Sequence, residues 1–354
     1  MPQSGRMEKN MPQKKTAEQY VKSAAKRAVR KKKKKLVRKY PVVAAILFIL
    51  VLAAYLSLCA IDFYNVDVGF DVDLGEANVF NLFAPKSTID PLPVPADGEV
   101  MFHFIDVGQG DAILITTPEG NMLVDTSESA AEEQLGDYLD AAGITTLKYL
   151  VLSHLDADHI GNATFVIKNY KVETVVFGED DVATTNLAKE LMTVMGEKDI
   201  QVLKLKMGDS FTLGALKNTV IAPSEDYGDA NENSLVIKAT YGETSVMLTG
   251  DAEKKSEGDI VENWSKDALK SDILKVGHHG SESSTTDKFL NAVAPKIAVI
   301  SCGEGNKFDH PRPEVLERLE KMGVIIYRTD IDGSIIFKTD GKEITLVETR
   351  KDAK

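Results

Sequence analysis

Cysteine is nearly absent. Cys59 and Cys302 are the only two in 354 residues, which excludes a disulfide-stapled scaffold and a cysteine-rich zinc module. Tryptophan occurs once, as Trp264, and aromatics make up 7% of the chain, with no stripe of them to stack successive bases. No short internal repeat is present. Disorder is excluded by composition, since 43% of residues are hydrophobic. Acidic residues are scarce at the start: residues 1–40 hold 15 Lys/Arg and 2 Asp/Glu, so a chain of net charge −12 carries −25 in its other 314 residues. Between 41 and 61, in PVVAAILFILVLAAYLSLCAI, there is no charge at all.

That uncharged run matches the ~20 residues a helix needs to cross a ~30 Å hydrocarbon core. The basic tail, including Lys31 to Lys35, is expected to stay in the cytoplasm against anionic lipid headgroups, which sends the C-terminal part outside. The stretch is long for a cleaved signal peptide, and Leu58 before Cys59 disfavours a lipoprotein site, so a retained single-pass anchor is expected. Residues 62–99 read as an extracellular linker. Val66, Val68, Phe70, Val72 and Leu74 alternate with polar residues as in a strand, and Pro91, Pro93 and Pro95 stiffen the end of the linker.

Residues 100–350 alternate β-rich and helical runs, an α/β (α+β) pattern of sheets covered by helices. FHFIDV, DAILITTP, NMLVDT, LKYLVLSH, VETVVFG, QVLKLK, SLVIKAT, TSVMLTG, ILKVGHH and KIAVISC read as strands, as do IIYRT, SIIFKT and EITLVE. Helices are expected near 129–142, 185–197, 252–265, 285–293 and 313–322. Cys302 ends an apolar run and reads as a buried thiol.

The chemistry lies at strand ends. In Ser153-His154-Leu155-Asp156-Ala157-Asp158-His159, alternate residues of an extended segment point one way, so His154, Asp156 and Asp158 converge, with His159 entering as the chain turns. Imidazole and carboxylate are ordinary ligands for divalent metals. A second cluster, Lys275-Val276-Gly277-His278-His279-Gly280-Ser281, comes after another apolar run, and Leu248-Thr249-Gly250-Asp251 lies between the two. Three strand ends each delivering such groups form a constellation. His103, within an alternating strand, reads as structural.

HLDADH, LTGD and VGHHGS, in this order, resemble the metallo-β-lactamase family, whose fold is an αββα sandwich. IDVGQGDAILI with Asp106, Gln109 and Asp111, LVDTS with Asp125, DHPRPEV with His310, and YRTDIDGSI with Thr329 and Asp330 are similar to the branch found as the C-terminal hydrolase domain of the competence protein ComEC. The resemblance spans about residues 100–348. It implies one or two divalent ions, Zn2+ or Mn2+. His154 and Asp156 would serve one, and Asp158, His159 and His278 the other, with Asp251 between them. His279, Ser281 and His310 would line the substrate pocket, His310 as proton donor, while Asp125 and Asp111 would support the ligands from behind.

Two departures stand out. Asp156 replaces the second histidine of the family's HxHxDH, and no histidine occupies the next metal position, where Asn231 or Asn233 falls. Asn233 is therefore assigned to the substrate side. The resemblance implies a hydrolase in which metal-activated water attacks a phosphodiester. At −25 the outer part suits single-stranded or short nucleic acid better than a long duplex. No protein partner is called for. Hydrolysis of another ester, phosphoester or lactam, or a non-catalytic metal-binding role, are the alternatives.

Overall fold

The computed structural model describes residues 52–57, 90–179 and 183–351. The basic tail, most of the apolar run and the alternating segment at 66–74 lie outside these. Residues 52–57 are helical, and among the described residues no helix is long and apolar enough to cross a membrane. The chain divides into two units, residues 1–86 and 87–354.

In the second unit the first strands are β1 (Val100–Phe104), β2 (Ile113–Thr117) and β3 (Gly120–Val124). Next come α1 (Glu132–Ala141), β4 (Thr146–Val151), α2 (Ala157–Ile160), α3 (Ala163–Asn169), β5 (Lys171–Gly178), α4 (Asn186–Glu197) and β6 (Gln201–Leu205). The chain then forms β7 (Ser210–Leu213), β8 (Leu216–Ala222), β9 (Val236–Tyr241), β10 (Thr244–Leu248), α5 (Lys254–Asn263), α6 (Lys266–Leu269) and β11 (Ile273–Lys275). It closes with α7 (Asp287–Val293), β12 (Ile297–Ile300), α8 (Pro313–Lys321), β13 (Ile325–Arg328), α9 (Thr329–Asp332), β14 (Ser334–Thr339) and β15 (Ile344–Arg350).

One sheet runs β15-β14-β1-β2-β3-β4-β5-β6 and the other β13-β12-β11-β10-β9-β8-β7. Strand residues sort by parity. Phe102, Phe104, Ile113 and Ile115 join Val246, Leu248, Ile335 and Phe337 in a core between the sheets. Their neighbours Leu114 and Leu123 turn to a second core with Leu135, Tyr138 and Val166, and Met247 and Leu274 to a third with Ile260, Phe289 and Leu319. Each sheet is thus buried on both faces, which is why its strands read as continuous apolar runs. The layers are α, β, β, α.

The structure departs from the sequence pattern at three places. The hairpin of β7 and β8 gives little signal in sequence, because TLGALKN has little β-branched content around its turn. The short helix α9 stands where the sequence suggests loop. Leu92, assigned to the linker, is buried in the α-covered core, and its N–H donates to Ala141 O at 3.1 Å. His103 is fully buried on β1, its Nδ1 3.1 Å from Tyr138 Oη.

The pairs β3–β4, β10–β11 and β11–β12 are parallel, so several strands end on one edge. Loops at the carboxyl ends of parallel strands are where α/β folds place ligands.

Candidate metal centre

Asp125 leaves β3, residues 153–159 leave β4, Asp251 leaves β10, 276–280 leave β11 and Ser301 leaves β12. Glycine permits the close approach. Gly110 has φ +111, and a Cβ there would strike the Asp158 carbonyl, so the DVGQGD loop lies directly on the ligand segment. His278 and His279 are both in the left-handed region, at φ 47 and 54. Non-glycine residues there are strained, and two in succession are held only by surrounding structure. The His278 N–H donates to Gly250 O at 3.2 Å and the Ser281 N–H to His278 O at 2.8 Å.

Asp158, His159, Asp251 and His279 bring one ligand atom each to within 4.8 Å of one another. His159 Nε2 is 3.2 Å from Asp251 Oδ1, and His279 Nε2 is 3.5 Å from the same oxygen and 3.4 Å from Asp158 Oδ2. Donors ~2.1 Å from a tetrahedral ion lie about 3.4 Å apart, so these spacings fit one. His159 Nε2, His279 Nε2, Asp251 Oδ1 and the neighbouring His154 Nε2 are buried with no hydrogen-bond partner among the described residues. Four buried, unpaired ligand atoms at one place mark the seat of a cation.

The other ring nitrogens explain why Nε2 is the free one. His159 Nδ1 meets Asp125 Oδ2 at 2.9 Å, and His279 Nδ1 meets Ser301 O at 2.9 Å. Both partners are acceptors, so each Nδ1 carries a proton and Nε2 is the nitrogen left to face a cation. Ser153 Oγ donates to Asp125 Oδ2 at 2.7 Å and is left to accept from His154 Nδ1 at 3.1 Å. Ser234 Oγ, 3.3 Å from His154 Nδ1, also accepts the Asp251 N–H at 3.0 Å. All three rings are thereby turned Nε2 inward.

Burial disfavours charge throughout the cluster, yet the acids and imidazoles answer each other. Burial and the neighbouring His159 hold His154 at about 3, neutral at pH 7. For His159 burial pulls down, but Asp251 and Asp125 raise it well above the usual imidazole range. Asp251 is pushed up by burial and pulled further down by His279 and His159, ending well below the carboxylate range. Burial raises Asp125 and Asp156. His310 is lowered to about 4 by burial and by His278 beside it, so it is a neutral imidazole at pH 7.

Only some of the residues assigned from sequence meet at one point. Asp158, His159 and Asp251 do so in the cluster. His154 and Asp156 face each other beside it at 3.9 Å, with the Asp156 carboxylate half-exposed. The two adjacent histidines differ in burial. His279, assigned to the pocket, is the buried ring among the ligands, whereas His278, assigned to the metal, stands outside with Nε2 3.5 Å from Asp251 Oδ2. Sequence spacing could not choose between them, because left-handed backbone at both positions sets which ring turns inward. His278 instead donates from Nδ1 to Glu253 Oε1 at 2.9 Å, and Ser283 Oγ binds the same oxygen at 2.8 Å. His310 lies beyond, its ring 5.6 Å from that of His278.

Asn233, assigned to the substrate side, is bonded within its own loop. Its Oδ1 accepts from Tyr227 N at 2.8 Å and its Nδ2 donates to Asp226 at 2.7 Å, which ties it into its own loop. Ser234, the next residue, is the one against His154. Ser281 is buried and bonded to Ser283 Oγ at 2.7 Å. Asp125 and Asp111 back the cluster. Asp111 Oδ2 is 2.8 Å from the fully buried Lys275 ammonium, and its Oδ1 is 3.6 Å from His279 Nδ1. The motif alone gives Lys275 no role, since a lysine closing an apolar strand carries no sign of burial.

An αββα sandwich with a histidine–aspartate cluster at the carboxyl edge of its strands defines the class, a metal-dependent hydrolase. The profile of the Metallo-beta-lactamase superfamily matches residues 105–304, and the chain belongs to that family. It is similar to ComE operon protein 3 of Bacillus subtilis, 35% identical over 262 residues covering 69% of this chain and 33% of that protein. It is similar also to Recombination protein 2 of Haemophilus influenzae, 33% identical over 255 residues covering 70% and 30%. Competence protein ComA of Neisseria gonorrhoeae is 31% identical over 249 residues covering 70% and 33%. The chain spans about a third of the length of these relatives, which are of the ComEC kind. Among solved structures, the metallo-beta-lactamase fold protein YhfI of Bacillus subtilis covers 68% of this chain and 100% of its own, with 12% identity and a TM-score of 0.46.

Proposed function

We propose that this chain is a membrane-anchored, outward-facing phosphodiesterase that cleaves single-stranded or short nucleic acid. The observation that carries the reaction class is the convergence of His159, His279, Asp158 and Asp251 with their buried donor atoms unpaired. The substrate class is supported by two of the relatives, which are named for recombination and competence. Anchoring is supported by the uncharged run at 41–61 beside the basic tail. Asp156, in place of an imidazole, adds a hard oxygen donor, which favours Mn2+ beside Zn2+ and disfavours a lactam-cleaving site.

Asp158, His159, Asp251 and His279 would hold the ion, with His154 and Asp156 placed to take a second. When bound, such an ion polarises a phosphoryl oxygen and lowers the pKa of water to near neutrality. The chain's own groups do the rest. Asp125, Ser301 and Ser153 fix the imidazoles, so no reorganisation is needed as charge develops. His278, held by Glu253, and the neutral His310 stand at the rim, where they orient a phosphate by hydrogen bonding.

The test is cleavage of labelled single-stranded DNA by the full chain in detergent, stripped by chelator and then reloaded with Mn2+ or Zn2+. Metal-dependent cleavage is expected. Survival of the DNA under both metals, beside turnover of bis(p-nitrophenyl) phosphate, would move the substrate to a smaller phosphodiester. Hydrolysis of a chromogenic lactam alone would replace the phosphodiester reading. Protease added to intact cells is expected to remove the C-terminal part.

A further inference from the structure

The loop after β12 carries an exposed aromatic two histidine rings out from the metal cluster. Phe308 is 44% exposed, among the most exposed large apolar side chains described. Its ring stacks on that of His310, with centroids 5.7 Å apart and planes at 25°. His310 in turn lies 5.6 Å from His278, whose Nε2 is 3.5 Å from the Asp251 carboxylate. A continuous row of rings therefore runs from the ligands outward. The Lys307 ammonium lies 4.8 Å from the Phe308 centroid, while the other nearby cation, Arg312, faces Asp309 at 3.7 Å.

The loop is built to hold this arrangement. Asn306 Oδ1 accepts from Phe308 N at 3.1 Å and from His310 N at 3.0 Å, and Asn306 Nδ2 donates to His310 O at 2.6 Å and to Gly303 O at 3.0 Å. Gln109 Oε1 accepts the Gly303 N–H at 3.3 Å. A single exposed apolar residue is ordinary. One fixed in place by its loop, stacked on a ring at the reaction rim and accompanied by a cation, is not. An aromatic face with a flexible ammonium matches what a single nucleic-acid strand offers, a base next to a phosphate.

We infer that Phe308 is the specificity-determining residue of the site: with His310 it forms a platform on which a base flanking the scissile phosphodiester stacks, while Lys307 swings to the adjacent phosphate. This rests on the phosphodiesterase reading and assigns it a base-bearing substrate. Stacking is indifferent to base identity, so the platform selects for the presence of a base rather than for a sequence.

The experiment compares cleavage of a labelled single-stranded oligonucleotide with that of an abasic oligonucleotide of equal length, using metal-loaded full chain and its F308A and F308W variants. Metal content is measured for each variant, and binding is followed by fluorescence anisotropy. The unmodified chain is expected to prefer the base-bearing strand. F308A should reduce that preference about 10-fold through KM, and F308W should keep it. The same preference in F308A as in the unmodified chain overturns the platform and leaves the phosphodiesterase reading intact. Failure of the unmodified chain to bind or cut either strand removes the platform together with the nucleic-acid substrate, and turnover of bis(p-nitrophenyl) phosphate then tells whether the phosphodiesterase reading stands.

Discussion

The two sheets contribute to the metal cluster in different ways. On the side of β3 and β4, His154, Asp156, Asp158 and His159 come from one turn of six residues, backed by Asp125. On the side of β10 to β12, Asp251, His279 and Ser301 come from three separate strand ends, brought into line only by parallel pairing. A local ligand set is specified by covalent spacing, whereas a distributed one depends on sheet register and backbone strain. The second half is thus the more exposed to error, in folding as in inference.

Asp251 ties the halves together, since it faces both His159 and His279. Asp251→Ala is expected to have the largest effect, a loss of bound metal on the order of 100-fold or more in affinity, read by metal analysis and titration calorimetry. Retention of stoichiometric metal would mean that the two halves bind independently. The adjacent histidines sharpen the comparison further. His279→Ala should cost a comparable loss of metal and His278→Ala a smaller one, because the His279 ring is buried among the ligand atoms while His278 meets Asp251 from a partly exposed position at their edge. The reverse outcome would restore the assignment that the family resemblance implied.

Behind the distributed half lies the Lys275–Asp111 pair, both residues fully buried. Removing one member of such a pair leaves a stranded charge, so Lys275→Met should destabilise the protein by about 3–5 kcal/mol in urea unfolding. The double change Lys275→Met with Asp111→Asn should recover much of that loss. An equally large loss in the double variant would show that packing, not charge, sets the cost.

The smallest effect concerns Glu257, on α5, whose carboxylate accepts the Thr285 and Thr286 N–H groups. Burial raises it from 4.5 to about 7. A folded-state value above the unfolded one favours the protonated native form, so its contribution is complete below pH 4.5 and is lost as pH rises through about 7. Melting temperature between about pH 5 and 8 should therefore fall less in Glu257→Gln than in the unmodified chain. Parallel curves would dismiss the effect.

Much of the layered fold was legible because both faces of each sheet are buried. Strands such as VMFHF and TSVML announce themselves as apolar runs, and the helices between them start at recognisable signals such as Thr185, Thr286 and Pro313. The hairpin of β7 and β8 was not, since its pairing is local, Leu213 lying opposite Leu216, but the residues about its turn carry little β-branched signal. In the site, Asp158, His159 and Asp251 could be read from spacing at strand ends. Ser234 and Glu253 could not, for each acts through a hydrogen bond to a residue 80 or 25 positions away.

By itself the sequence determined which chemistry is possible: imidazoles and carboxylates at the ends of apolar strands, an uncharged run beside a basic tail, and no cysteine framework. Tertiary structure decided which of two neighbouring histidines turns inward, which nitrogen of each ring is left open, and that Phe308 stands beside His310. These are properties of orientation, fixed by backbone conformation and by hydrogen bonds between segments far apart in the chain. Local spacing carries no record of them.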